Sequence, residues 1–221
     1  MQKEKIHVYF VPGLAASISI FERIELPEDQ FEIHLIPWLI PITKKENIAD
    51  YAKRMCESIT ESNFVLVGVS FGGIMVQEMG KYCTPKKTVI ISSVKHHNEF
   101  PLRLKIVKNT KAYKLTPIKA LTNLESFAKY TYGDFIKKRA HLYKKYLSMR
   151  DEKYLPWAIY TLLHWKQDSN TENIIHIHGN KDAVFPIKSI KNCIIIDGGT
   201  HVMILNKAKQ ISKILIEILN K

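Results

Sequence analysis

Apolar residues gather in six short runs along the chain: Ile6–Val11, Phe31–Ile36, Phe64–Val69, Thr88–Ser92, Ile174–His178 and Cys193–Ile196. The runs are rich in Ile and Val and mostly continuous rather than alternating, the pattern of parallel strands buried on both faces. Helical periods lie between most of them. Asn47–Ile59 places Ile48, Tyr51, Ala52, Met55 and Ile59 on one stripe, and Lys207–Leu219 repeats Ala208, Ile211, Ile214, Leu215 and Ile218 in the same way. Strands alternating with helices predict an α/β chain with a doubly wound sheet. The alternation breaks once, between Ser93 and Asn173. That stretch has no strand signal and reads as helices over Leu102–Lys108, Ile118–Tyr130, Asp134–Met149 and Glu152–Lys166, with Pro101, Pro117 and Gly133 at the joins. Pro156 falls in the first turn of the last of these, where proline is tolerated. The expected organisation is a core of residues 1–94 and 167–221 carrying an all-helical insertion, residues 95–166, between the fourth and fifth strands.

A length of 221 residues with 46% hydrophobic content suits one such domain and a real core. No window approaches ~18 uninterrupted apolar residues, so no transmembrane helix is expected. Met1–Lys5 runs straight into the first strand, which breaks at Pro12-Gly13, too soon for a secretory signal. Cys56, Cys83 and Cys193 are odd in number and fit neither a disulfide framework nor zinc spacing, which points to a reducing cytoplasm. The net charge of +12 is concentrated: residues 97–166 hold 15 Lys/Arg against 5 Asp/Glu, and the remainder 18 against 16. These lysines are scattered along helices without an RNA-binding or zinc-finger signature, so the basic stretch reads as a solvated face rather than a nucleic-acid site.

The chemistry begins at Phe64–Gly73, FVLVGVSFGG. An apolar strand meets Gly68-Val69-Ser70-Phe71-Gly72, a G-x-S-x-G pattern, and a helix can follow. In a strand–turn–helix context this pattern presents a serine nucleophile at the tip of a sharp turn. Gly68 and Gly72 are small because the two backbones approach closely there. With 9 Gly and 12 Ser in the chain, chance supplies only about 0.02 such patterns. A serine hydroxyl needs a base, and the base needs a third group to fix its tautomer. Of nine histidines, His7, His34, His176 and His178 sit within predicted strands, where structural roles are usual, and His96, His97, His141 and His164 belong to or border the insertion. His201 instead follows the last strand through Asp197-Gly198-Gly199-Thr200, a loop at the carboxyl end of the sheet, where a base belongs. Asp182 occupies a turn after the fifth strand, in HGNKDAVFP. Asp197, at a strand end, and Asp168, at the end of the insertion, are rival acids.

The order Ser70, Asp182, His201, with the motifs VPGL, GVSFGG, HGNKDAVFP and GGTH, resembles the α/β-hydrolase family over residues 6–94 and 167–221. The resemblance implies Ser70 as nucleophile, Asp182 as acid, His201 as base and the insertion as a cap over the site. It also implies an oxyanion hole from the backbone N–H groups of Leu14 and Phe71, although Pro12-Gly13 stands where many members have His-Gly. The two antiparallel strands that often open this fold are lacking, so a six-stranded sheet in the order 2-1-3-4-5-6 is expected.

The activity so implied is serine hydrolysis of a carboxylic ester or thioester, without metal or organic cofactor. Other readings are a thioesterase that docks an acidic carrier protein on the basic insertion, a carbon–carbon hydrolase or lyase using the same triad, and a ligand-binding receptor with little turnover; fold does not decide among them. About half of the aromatic residues lie in the insertion, including Phe127, Tyr130, Tyr143 and Tyr146. Trp157, Tyr160 and Trp165 are the expected substrate-lining residues, and the local positive charge favours anionic substrates through steering. Oligomeric state has no signature in the sequence.

Overall fold

The computed structural model describes residues 4–114, 145–167 and 173–221. Its centre is a six-stranded, all-parallel sheet in the order β2-β1-β3-β4-β5-β6. The strands are β1 (Ile6–Val11), β2 (Phe31–Leu35), β3 (Phe64–Val69), β4 (Lys87–Ile91), β5 (Ile174–Gly179) and β6 (Ile194–Ile196). Every residue of central β3 is buried, whereas edge strands β2 and β6 leave most of theirs accessible. That contrast explains why continuous apolar runs marked the middle of the sheet best.

The helices are α1 (Ile48–Cys56), α2 (Phe71–Met79), α3 (Leu102–Thr110), α4 (Tyr154–His164), α5 (Met203–Asn206) and α6 (Ala208–Leu219). Asn47 starts α1 by accepting a hydrogen bond from the Asp50 N–H at 2.8 Å, and the helix buries Tyr51, Ala52 and Met55. The stripe on α6 buries Ile211, Leu215 and Ile218, while Ile214 is only partly covered. Short 3-10 turns, Ile18–Phe21 and Ile187–Ser189, stand between β1 and β2 and between β5 and β6. Among the described residues no helix is long and apolar enough to cross a membrane.

Helices α3 and α4 lie in the expected insertion. The expected helix Ile118–Tyr130 lies outside the described residues, as do most of Asp134–Met149, Phe127, Tyr143, His141 and Asp168. The described end of Asp134–Met149 is helical only through Tyr146. The segment that follows packs on the loop after β1: Ser17 N–H donates to the Tyr146 carbonyl at 2.8 Å, and Met149 N–H to the Ala15 carbonyl at 3.1 Å. The sheet order reverses between β1 and β3, where Val11 stands beside Gly68. A crevice at such a switch point is where an open α/β sheet binds ligands.

Candidate active site

Ser70 occupies the single-residue turn between β3 and α2. Its backbone sits at φ 54° and ψ −117°, a strained conformation for a residue with a side chain. The strain is held by close packing on both sides. A Cβ on Gly68 would lie 2.2 Å from the Gly72 carbonyl oxygen, and one on Gly72 would lie 2.3 Å from the carbonyl oxygens of Val11 and Pro12. Ser70 N–H donates to the Ile91 carbonyl at 2.9 Å, and the Ser70 carbonyl accepts from the Ser93 hydroxyl at 2.7 Å. The turn is therefore tied to the end of β4, and its side chain is free to project into the crevice.

Two loops meet that side chain. A Cβ on Gly179 would lie 2.1 Å from the Gly199 carbonyl oxygen, so the chains leaving β5 and β6 touch backbone to backbone. Lys181 N–H donates to the Gly199 carbonyl at 2.9 Å across this contact. The contact brings the Asp182 turn to the His201 loop. His201 Nδ1 lies 2.9 Å from Asp182 Oδ2, and His201 Nε2 lies 2.9 Å from Ser70 Oγ. Asp182 is only 4% exposed. Its Oδ1 accepts from the Val184 and Phe185 N–H groups at 2.7 and 2.9 Å. Burial raises the pKa of the carboxyl, but the adjoining His201 imidazole and the Phe185 N–H more than offset it, leaving the group below the ordinary carboxylate range. Asp182 is thus an anion that accepts from His201 Nδ1–H, which leaves Nε2 bare to accept from the Ser70 hydroxyl. Asp197 is turned elsewhere: its Oδ1 accepts from Asn180 Nδ2 at 2.7 Å.

The loop after β1 forms the opposite wall. A Cβ on Gly13 would lie 3.5 Å from Ser70 Cβ, so this loop runs directly beside the serine. The Gly13 carbonyl accepts from Trp38 Nε1 at 2.9 Å and from Ala16 N–H at 3.0 Å. Because C=O and N–H of a trans peptide point in opposite directions, holding the Gly13 carbonyl aims the Leu14 N–H away from Trp38. The Trp38 ring also stacks on Phe71, with centroids 5.1 Å apart. One buried indole therefore braces both residues expected to supply oxyanion donors.

Several supporting residues carry no sequence motif: Trp38, Ser93, and Arg103 of α3, whose Nη2 donates to the carbonyls of Ala183 and Val184 in the Asp182 loop. Beneath that loop lie His176 and His178. His178 Nε2–H donates to the Phe185 carbonyl at 2.8 Å, so its Nδ1 is bare and accepts from His176 Nε2–H at 3.1 Å. Both histidines are held neutral by burial, and the pKa of His176 is lowered to about 3.

The aromatic residues expected to line the site are placed differently from one another. Trp157 and Trp165 are 1% and 3% exposed. Trp157 stacks on Tyr51 and donates to the Glu46 carbonyl, and Trp165 donates to Glu78 Oε1. Tyr160 is 49% exposed, against Tyr113 and His164. Trp157 meets Phe71 edge-on at 6.3 Å; among the described residues no hydrogen bond or ring contact joins any of the three to Ser70.

No protein-family model matches the chain, and no curated protein matches it by sequence. Solved structures do match. A lipase-esterase related protein from Clostridium acetobutylicum is 16% identical at a TM-score of 0.67, covering 97% of this chain and 95% of its own. An enol-lactonase from Burkholderia xenovorans is 9% identical at 0.71, with coverage of 99% and 93%. A thioesterase from the prodiginine pathway of Streptomyces coelicolor is 10% identical at 0.60, with coverage of 95% and 84%. At these identities the similarity is one of fold.

Proposed function

We propose that this chain, which has the α/β-hydrolase fold, is a serine hydrolase that cleaves a carboxylic ester or thioester through an acyl-enzyme. The observation that carries the proposal is the unbroken hydrogen-bonded line from Asp182 through His201 to Ser70, at 2.9 Å on each side of the imidazole. Ser70 Oγ attacks the acyl carbonyl as its proton passes to His201 Nε2. Asp182 holds the tautomer and stabilises the imidazolium. The N–H groups of Leu14 and Phe71 bind the developing oxyanion, usually the largest electrostatic contribution. His201 gives its proton to the departing alkoxide or thiolate. A water deprotonated by His201 then attacks the acyl-serine, the carboxylic acid leaves, and the proton returns to Ser70.

In this reading residues 95–166 form a cap, which the contacts of Tyr146 and Met149 with the β1 loop support. The cap's positive charge favours an anionic substrate or an acidic partner. Ester, thioester and lactone substrates share the same attack on an acyl carbon, so one mechanism accommodates all three. The test is a panel of activated esters and thioesters of increasing acyl length, assayed with wild type and Ser70→Ala. Wild-type turnover that falls by several orders of magnitude in Ser70→Ala, with the fold intact by circular dichroism, supports the proposal. Turnover of Ser70→Ala near wild type, or tight ligand binding with negligible turnover by wild type, overturns it.

A further inference from the structure

A second cluster of chemically capable side chains lies far from Ser70. His7 and Tyr9 of β1 and Glu32 and His34 of β2 share one face of the sheet, in the register His7↔Glu32 and Tyr9↔His34. His7 is six residues before Gly13, roughly 20 Å along the strand direction from the candidate active site. His7 Nδ1 lies 2.9 Å from His34 Nε2. The two Glu32 oxygens face one nitrogen each: Oε2 lies 3.9 Å from His7 Nδ1 and Oε1 lies 3.8 Å from His34 Nε2. One atom from each of the three residues falls within 4.8 Å of the other two.

We propose that His7 Nδ1, His34 Nε2 and the Glu32 carboxylate form a binding site for a divalent transition-metal ion of the zinc class. Two imidazole nitrogens and one carboxylate suit zinc, nickel or copper, whereas calcium and magnesium require an oxygen shell. Tetrahedral zinc with bonds of ~2.0–2.1 Å places its ligand atoms about 3.3 Å apart. The nitrogens, 2.9 Å apart, need to separate by a few tenths of an ångström, and a single Glu32 oxygen, within 4.8 Å of both, needs to close by up to about 1.5 Å. Both are side-chain movements on a fixed two-strand frame. Two neighbours bear on the orientation of the rings. Glu61 Oε2 stands 3.9 Å from His7 Nε2, the ring nitrogen not used for the metal; a small rotation would bring it into the hydrogen bond of a carboxylate–histidine–metal arrangement. Tyr9 stacks on His34 at 4.4 Å, which fixes that ring's plane. Glu32 is half-exposed, so a fourth position stays open to water. The bound ion would clamp edge strand β2 to β1, a device of stability rather than of the Ser70 chemistry.

The test is titration of Zn(II) into the full reduced chain by calorimetry, with Co(II) as the spectroscopic probe. One equivalent should bind with micromolar affinity and raise Tm. His34→Ala and His34→Gln should each weaken binding at least 10-fold and remove the Tm rise. Glu61→Gln should weaken it several-fold without changing the stoichiometry. The Co(II) complex should lack a thiolate charge-transfer band, because the rival ligands are Cys56 and Cys83, whose sulfurs are 3.0 Å apart. A thiolate band that disappears in Cys56→Ser, affinity unchanged in both His34 variants, or no binding at micromolar zinc would each overturn the proposal.

Discussion

Replacing His176 with leucine should flatten the acid side of the protein's stability profile. His176 is 1% exposed, and its Nε2–H is committed to the bare Nδ1 of His178, which itself donates to the Phe185 carbonyl. A second proton is unfavourable here: on His178 Nδ1 it would face an N–H, and on His176, where the Ser93 carbonyl and the Asp182 carboxylate favour it, it would still put a charge on a buried ring. Burial first, and then His178 and Lys95, lower the pKa of His176 from 6.5 to about 3. The sign follows from linkage. Below the unfolded pKa the unfolded chain takes up a proton that the folded chain refuses, so this stability is present above pH ~6.5 and is lost as pH falls toward 3. Between pH 6.5 and 4.5 the loss from His176 is roughly 2 kcal/mol at 1.36 kcal/mol per unit, and it changes little for any folded pKa below about 4. Urea unfolding followed by tryptophan fluorescence at the two pH values measures it. Wild type should lose about 2 kcal/mol more than His176→Leu over this interval, while carboxylates and His178 contribute to both proteins. Equal losses in the two would refute the reasoning.

Trp38→Phe keeps the ring against Phe71 but removes the hydrogen bond to the Gly13 carbonyl; at ~1 kcal/mol for such a bond, kcat should fall about 5- to 10-fold with little change in KM. Asp182→Asn should cost about 10³–10⁴ in kcat, whereas Asp197→Asn, whose carboxylate is engaged by Asn180, should stay within about twofold on the same activated ester; the opposite ranking would make Asp197 the partner of His201. If the cap's charge steers substrates, kcat/KM for an anionic ester should fall with ionic strength more steeply than for a neutral ester of the same acyl chain, and equal slopes would leave that charge without a role in substrate capture.

The sheet was legible in the sequence because its middle strands are buried on both faces and so are written as continuous Ile/Val runs. The order of the strands followed from the resemblance carried by four motifs. The loops bearing Ser70, Asp182 and His201 were legible because glycines mark each: Gly68 and Gly72 around the serine, and Gly179 and Gly199 where the two later loops touch. What escaped reading were contacts between residues distant in sequence and without local pattern. Trp38 reaches Gly13 across 25 positions, Ser93 reaches Ser70 across 23, and Arg103 reaches Ala183 across 80. The aromatic content of the insertion likewise gave no means of separating the packing surfaces of Trp157 and Trp165 from the exposed ring of Tyr160. The His7–Glu32–His34 cluster needs the pairing register of β1 with β2, which no local signal in either strand specifies.

The central claim is that Ser70 is an activated nucleophile, and covalent labelling tests it most directly. A fluorophosphonate reacts with serine hydroxyls that an adjacent base and oxyanion donors have activated, not with ordinary surface serines. Intact mass and peptide mapping after treatment should show one adduct, on Ser70, with ester turnover lost in proportion to labelling and no adduct in Ser70→Ala or His201→Ala. An unlabelled Ser70 in a folded protein, or full labelling of Ser70 in the His201→Ala variant, would contradict the account.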